Sequence, residues 1–314
     1  MPPQIVIICG PTATGKTRLG VALAKSLGGE VVSADSMQVY RDMAIGTARP
    51  TEAEMEGVPH HMMAVADPTE NFSVARYVAE ATPVVDDILA RGKLPLIVGG
   101  TGLYIDALRK GQSFSAFEPK SGWRERLQAR VKTEGLPKLY TELEGIDPEA
   151  AARLHPNDEK RILRALEVWY ETGETISAHD RRTKEIPPRY QAAVIALTYK
   201  DRAALYARID QRVDRMMDQG LADEVKALLD RGVPPACTAM QAIGYKELAP
   251  AILSGVGLTA AAEEIKLRSR QYAKRQLTWF RRDPTAHWIE LDDPPDFSAV
   301  LRDSTEYLRG LGIG

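Results

Sequence analysis

Cysteine is scarce in this chain of 314 residues: Cys9 and Cys237 are the only two. Two thiols cannot build a disulfide framework, and they form no C-x-x-C pair of the kind that holds zinc. Long apolar runs are missing as well. None approaches the about 18 residues of a membrane-spanning helix, so no membrane association is expected. Excess charge of either sign is also absent, with 41 Lys and Arg against 43 Asp and Glu and a formal net charge of −2. Any nucleic-acid binding must therefore come from local patches. The apolar stretch after Met1 has no basic region before it and no cleavage-like site, which argues against a secretory signal. There is no internal repeat and no low-complexity tract. The balance of 44% hydrophobic and 27% charged residues is that of a globular protein. The expectation is a soluble, reduced, cytoplasmic enzyme.

What is present begins at residues 8–17, ICGPTATGKT, where Gly10, Gly15, Lys16 and Thr17 carry the spacing G-x-x-x-x-G-K-T. A short apolar run, IVIIC (5–9), precedes it, as a buried parallel strand would. A helical pattern follows, with Leu19, Leu23 and Leu27 on one face and Gly28-Gly29 as its stop. Strand, glycine loop and helix in that order make a phosphate-binding loop. Its backbone N–H groups and the helix N-terminus cradle anionic oxygens, Lys16 adds a positive charge, and Thr17 is placed to ligate Mg²⁺.

EVVSAD (30–35), LPLIVGG (94–100), AVIALT (193–198) and HWIEL (287–291) read as further strands, with a helix over roughly 74–91 and a long one near 259–282. Strands separated by helices predict an α/β fold, a P-loop-type parallel sheet flanked by helices. The section from 114 to 190 has no convincing strand. Its helical periodicity, as in WRERLQARV and KRILRALEVWY, predicts an inserted all-helical domain. Residues 1–113 and 191–314 would then form the core, and the polar AHDRRTKEIPPRY (178–190) the exit of the insertion.

A nucleotide hydrolase needs an acidic residue at the end of a second apolar strand to hold Mg²⁺. LPLIVGGTGLY ends instead in Gly99-Gly100-Thr101. The carboxylate stands after EVVSA, at Asp35, followed by Ser36-Met37-Gln38. Ligands gather at the C-terminal strand ends of such sheets, so Asp35 would face the space before the phosphate loop as a base in a group-transfer site. The competing reading of Asp35 is a loop residue capping the next turn. The pair His60-His61 lacks a third ligand at metal spacing and is not read as a zinc site. His155, in HPND, belongs to a helix start capped by Asn157 or Asp158.

Two segments are basic. In KRILRALEVWY, Ile162, Leu166 and Trp169 share one helical face, and Lys160, Arg161 and Arg164 fall opposite, where they can meet phosphates. KLRSRQYAKRQLTWFRR (266–282) carries seven basic residues and no acid, with Tyr272 and Trp279 interleaved. Basic charge with aromatics and amides suits a single-stranded RNA loop. Ala273, Leu277 and Phe280 form a core stripe on the same helix, and Tyr272 or Trp279 can equally serve as packing.

GPTATGKT, SADSMQVYRDMAIGTARP (33–50), VPHHM (58–62) and IVGGTGLY (97–104), in this order and spacing, resemble the tRNA dimethylallyltransferases. HPNDEKRILRALEVWYETGE (155–174), LYARIDQRVDRMMDQGLADEV (205–225), MQAIGYKEL (240–248) and SRQYAKRQLTWFRR (269–282) extend the resemblance almost end to end. It implies transfer of a dimethylallyl group from dimethylallyl diphosphate to the N6 amine of a tRNA adenosine. That adenosine lies 3′ of the anticodon in tRNAs that read codons beginning with U. It also implies a P-loop-type core whose helical insertion grips the anticodon stem, acting as a monomer.

The resemblance turns the phosphate loop toward the donor diphosphate, with Gly10, Pro11, Thr12, Ala13, Thr14, Gly15, Lys16 and Thr17 around it, Arg212 reaching it, and Mg²⁺ as cofactor. It makes Asp35 the general base for the adenine amine, with Thr101 beside it. It places Ser36, Met37 and Gln38 against the anticodon loop, and Arg124 and the MQAIGYKEL residues Gln241, Gly244, Tyr245 and Lys246 against tRNA. From the late basic helix it adds Arg270, Gln271, Lys274, Arg275, Gln276 and Trp279. The main rival is a small-molecule P-loop kinase, which would need ATP and has little use for that helix. An RNA-binding protein with a degenerate site would not keep both Lys16 and Asp35, and a free-adenylate prenyltransferase should lack the HPND and RQYAKRQ segments.

Overall fold

The computed structural model describes residues 2–111 and 122–313. The chain forms two compact units, Met1–Gly111 with Pro188–Gly314, and Gln112–Pro187.

Among the described residues the first unit holds six strands: β1 (Gln4–Cys9), β2 (Gly29–Ser33), β3 (His60–His61), β4 (Leu94–Val98), β5 (Gln191–Tyr199) and β6 (His287–Leu291). They form one sheet in the order β3-β2-β4-β1-β5-β6, and every pairing is parallel. Its helices are α1 (Lys16–Leu27), α2 (Glu52–Met55), α3 (Val74–Ala90) and α4 (Gly102–Lys110) before the second unit. In the second unit lie α5 (Trp123–Glu134), α6 (Leu136–Ile146), α7 (Pro148–Arg153), α8 (Glu159–Thr172) and α9 (Ile176–Glu185). The first unit resumes with α10 (Arg202–Asp218), α11 (Leu221–Asp230), α12 (Tyr245–Ser254), α13 (Thr259–Phe280) and α14 (Phe297–Gly310). The predicted P-loop-type α/β fold is what the chain adopts.

Strand composition explains the arrangement. Helices cover the sheet, so its central strands are buried on both faces and mostly apolar rather than alternating. In β1, residues Ile5 to Cys9 are all buried. Val6, Ile8, Leu96, Ile195 and Leu197 meet Leu19 and Leu23 of α1 in one core, and Leu27 packs at its edge. Gly28 ends α1 with φ 64°, a left-handed conformation that costs glycine little. β2 then starts at once. The strand β3 is paired through Val31↔His60 and Val32↔His61. Its His61 bonds the buried Glu30 at 2.8 Å, and Arg91 and Lys93 hold the same carboxylate.

The second unit is helical throughout its described residues and has its own core of Leu127, Leu139, Leu143, Ile162, Leu163 and Leu166. Truncating Leu143 or Leu166, both fully buried, to alanine would cost about 2–5 kcal/mol. Asp158 caps α8 through the Arg161 N–H, as the HPND reading allows. Among the described residues no helix is long and apolar enough to cross a membrane.

Candidate active site

The C-terminal ends of β1, β2 and β4 open onto one cleft of about 1030 Å³. β1 delivers the phosphate loop. Gly10 has φ 134°, and a Cβ there would lie 2.3 Å from the Leu197 carbonyl oxygen. Gly15 has φ 81° and precedes α1, where a Cβ would strike the Phe297 ring at 2.2 Å. Only glycine lets the loop turn at both points and aim the N-terminus of α1 into the cleft.

Two cations converge there. Lys16 donates through Nζ to the Pro11 carbonyl at 2.6 Å. Burial lowers its pKa from 10.5 to about 8, and the neighbouring Arg212 guanidinium pushes in the same direction. Arg212, from α10, is also held down by burial, and among the described residues no carboxylate lies within ion-pairing distance of it. Two desolvated cations that repel each other make a site that favours a multiply charged anion.

This has a measurable consequence. Lys16 has its folded pKa below its unfolded one, so protonated lysine penalises folding below pH 8, and the penalty fades between about pH 8 and 10.5. A bound anion restores the charge. Affinity for inorganic pyrophosphate is therefore expected to fall as pH rises above 8, with proton uptake on binding. Calorimetry in buffers of different ionisation enthalpy measures that uptake. Lys16→Met should abolish it, and equal uptake in wild type and variant would refute the assignment.

Asp35 follows β2. Its Oδ1 accepts from the Met37 N–H at 2.9 Å and the Gln38 N–H at 3.3 Å, so it caps the turn. Its side chain also lines the cleft, and among the described residues no hydrogen bond reaches Oδ2. The two sequence readings of Asp35 are compatible, one oxygen for each. Thr101, the residue before α4, accepts the Ser36 N–H through Oγ1 at 3.0 Å and so ties the β4 end to the β2 end. Gln38 turns inward: Ser33 Oγ donates to its carbonyl, and its amide donates to the Thr47 and Ala48 carbonyls. Ser36 and Met37 line the cleft.

The residues expected at RNA divide by environment. Gln271, Lys274 and Arg275 of α13 are exposed, as are Gln241 and Lys246. Gln276 is not offered to a ligand. It is 5% exposed, accepts the Thr12 N–H at 3.0 Å and donates to the Gly100 carbonyl at 2.9 Å, stapling the phosphate loop to the end of β4. Trp279 is committed to packing on α4, with Nε1 donating to Asp106 at 3.1 Å. Tyr245 is fully buried and donates to Glu224, and Gly244, at φ 101°, is buried before it. Arg270 spends its guanidinium on both oxygens of Asp210 at 2.6 Å. In the second unit Lys160 is exposed, Arg161 pairs with Asp158, and Arg124 and Arg164 both reach the buried Glu167. Tyr272 lines the cleft beneath Arg275, and burial pushes its phenol up to about 12.

The cleft also contains residues that sequence reading did not assign. The loop from Ala44 to Pro50, with Arg49, forms part of its wall, and Arg215 adds a further cation. Arg215 stands three residues after Arg212 on one helix, so helical spacing was the available signal. The loop had none, because its part is played by backbone.

A model of the IPP transferase family matches residues 38–283, and one described as isopentenyl transferase matches residues 3–65. The tRNA dimethylallyltransferase of Bacillus subtilis is 46% identical over 306 residues, 98% of this chain and 96% of that protein. That of Geobacillus thermodenitrificans is 46% identical over 310 residues, 99% of this chain and 98% of that protein. Among solved structures, the full-length tRNA isopentenylpyrophosphate transferase of Bacillus halodurans has a TM-score of 0.74 at 44% identity, covering 99% of this chain and 96% of that one. A eukaryotic dimethylallyltransferase acting on tRNA has a TM-score of 0.73 at 33% identity, covering 88% of this chain and 69% of that one.

Proposed function

This chain belongs to the IPP transferase family, and on that premise we propose that it moves a dimethylallyl group from dimethylallyl diphosphate to the N6 amine of the tRNA adenosine 3′ of the anticodon, in tRNAs reading codons that begin with U. The observation that carries the reading is one cleft with two functions. Lys16, Arg212 and the α1 N-terminus offer positive charge on one side, and Asp35 offers a carboxylate oxygen without a hydrogen bond on the other. A phosphoryl-transfer kinase would want an acid at the end of β4, where Gly99-Gly100-Thr101 stands. The tRNA enzymes among its relatives favour the transferase as well.

In this mechanism the allylic carbon–oxygen bond breaks as the adenine nitrogen attacks. Negative charge grows on the leaving diphosphate, where the loop N–H groups, Lys16 and Arg212 stabilise it most as it develops. The attacking nitrogen becomes cationic, and Asp35 Oδ2 takes its proton. Thr101 and Ser36 hold the turn that carries Asp35. Thr17 suits Mg²⁺: its side chain lines the cleft next to the phosphate loop and makes no hydrogen bond among the described residues. One hydroxyl and phosphate oxygens could hold that ion together with the several waters it ordinarily keeps. Bound there, Mg²⁺ would neutralise part of the diphosphate charge. The adenosine reaches the site by leaving its stack, which costs less in a loop than in a duplex. The helical second unit is the proposed holder of the anticodon stem.

Mass spectrometry of nucleosides from tRNA incubated with the protein and dimethylallyl diphosphate tests the reading. Dimethylallyladenosine supports it. Unmodified tRNA, together with thermal protection by ATP–Mg²⁺ but not by dimethylallyl diphosphate, would replace it with the kinase.

Salt dependence tests the RNA surface. Lys274→Ala and Arg275→Ala are each expected to lower the slope of log affinity against log salt by about 0.7–0.9, since each removes one phosphate contact. Arg270→Ala should change it less, because Asp210 already occupies that guanidinium. Equal slopes in wild type and both exposed-site variants would make this face of α13 a solvated surface.

A further inference from the structure

Glu224 lies in the first turn of α11, and its neighbours belong to a loop about 180 residues earlier in the chain. Its Oε2 accepts the N–H groups of Ala44 and Ile45, both at 2.8 Å, and its Oε1 accepts that of Gly46 at 3.0 Å. Tyr245, fully buried, donates its hydroxyl to Oε1 at 2.5 Å. Three successive backbone N–H groups turned to one point form an anion-binding nest. Here a carboxylate of the chain itself fills it. Gly46 is the close-approach point, since a Cβ there would lie 2.5 Å from the Tyr245 ring.

The clamped loop does not end at Gly46. The next two carbonyls, of Thr47 and Ala48, accept from the Gln38 side-chain amide at 3.2 and 3.3 Å. The Gln38 main-chain N–H in turn donates to Asp35 Oδ1. Hydrogen bonds joined through the main chain of residues 44–48 and the side chain of Gln38 therefore link α11 to the carboxylate that faces the cleft.

We propose that Glu224 is a positioning residue for the transfer: by filling the nest at Ala44–Gly46 it fixes the loop whose carbonyls hold Gln38, and Gln38 fixes the orientation of Asp35. This rests on the reading of the site given under the proposed function. A charged acceptor suits the task better than a neutral one. It bonds every converging N–H without presenting a donor of its own, and charge-assisted bonds are the stronger kind. A glutamine offers one carbonyl oxygen and an NH₂ that opposes the nest.

Two variants and two readouts test it. Glu224→Ala should reduce the single-turnover transfer rate, with tRNA and donor saturating, by about 10- to 100-fold, the scale of a small misplacement of a reacting group. Glu224→Gln should fall between it and wild type. Affinity for inorganic pyrophosphate should stay within threefold of wild type in both, because the phosphate loop is not on this path. Amide hydrogen exchange in the peptide spanning 42–50 should speed up in both variants, while peptides of the β1 strand stay as protected as before. In a Gln38→Ala background the Glu224→Ala change should add less than threefold, since its route to Asp35 is already cut.

A folded Glu224→Gln protein with wild-type exchange in that peptide and a wild-type rate would overturn the proposal. So would a loss of pyrophosphate affinity equal to the loss in rate, which marks general damage, or a full additional loss in the Gln38→Ala background. If Glu224→Ala does not fold, Glu224→Gln carries the same outcomes. Absence of transfer by the wild-type protein would instead refute the transferase reading, and the exchange measurement would still judge the clamp.

Discussion

Asp35→Asn is expected to slow dimethylallyl transfer by about 10²–10⁴-fold while both substrates still bind. The adenine amine is a weak nucleophile because its lone pair is delocalised into the ring. Attack on the allylic carbon makes the nitrogen cationic and its proton acidic, and a carboxylate within hydrogen-bond reach can remove it as the bond forms. The geometry separates the two duties of this side chain. Oδ1 accepts the Met37 and Gln38 N–H groups. An asparagine oxygen can keep those bonds, so the turn should survive, but the amide nitrogen in place of Oδ2 cannot take a proton. Single-turnover rates with pre-bound tRNA isolate this step. A variant within about threefold of wild type, far short of that loss, would remove Asp35 as the base and pass the role to water or the leaving diphosphate.

Lys16→Ala is expected to reduce donor turnover by about 10²–10³-fold, the range for deleting one preorganised group that meets developing negative charge. tRNA affinity in filter binding should change little, because the exposed basic side chains of α13 do not depend on Lys16. The same substitution should leave the empty protein at least as stable as wild type near pH 7. Burial and Arg212 both disfavour the Lys16 charge, and deleting the ammonium relieves both. A variant that loses tRNA affinity in step with turnover would contradict the separation. One that melts well below wild type would contradict the view of Lys16 as a strained charge held for function.

Much of this was legible in the residues. The strands at Gln4–Cys9, Leu94–Val98 and Gln191–Tyr199 announce themselves as apolar runs between helical segments, because burial on both faces leaves no polar alternation to blur them. The phosphate loop is legible for a different reason: its glycines answer steric limits that any side chain would violate. Asp158 could be read as a cap from local sequence. The two-residue β3 strand could not, since His60 and His61 become a strand only through pairing with Val31 and Val32. Gln276 and Tyr245 are buried and Trp279 packs on α4, and none of the three environments is visible in local sequence. Amides and aromatics look the same in sequence whether they face RNA or the interior, and their partners lie from 21 positions away, for Tyr245, to 264, for Gln276. Arg270 is similar, its acid being Asp210 on another helix. For Asp35 the structure shows the turn cap made by Oδ1, and the role as base stays a proposal for the other oxygen.

The Gln276 staple bears on how the protein comes into being. Thr12 and Gln276 are 264 positions apart, and the bond between them closes a loop of that length. Joining such distant segments is entropically unfavourable until many other contacts share the cost, so it belongs to the late stages of folding. During synthesis the phosphate loop emerges before α13, which brings this constraint. A ribosome-bound fragment that already contains Lys16 and Asp35 would still have an unbraced loop. A chain that stops before residue 276 would carry the loop sequence without this bracing.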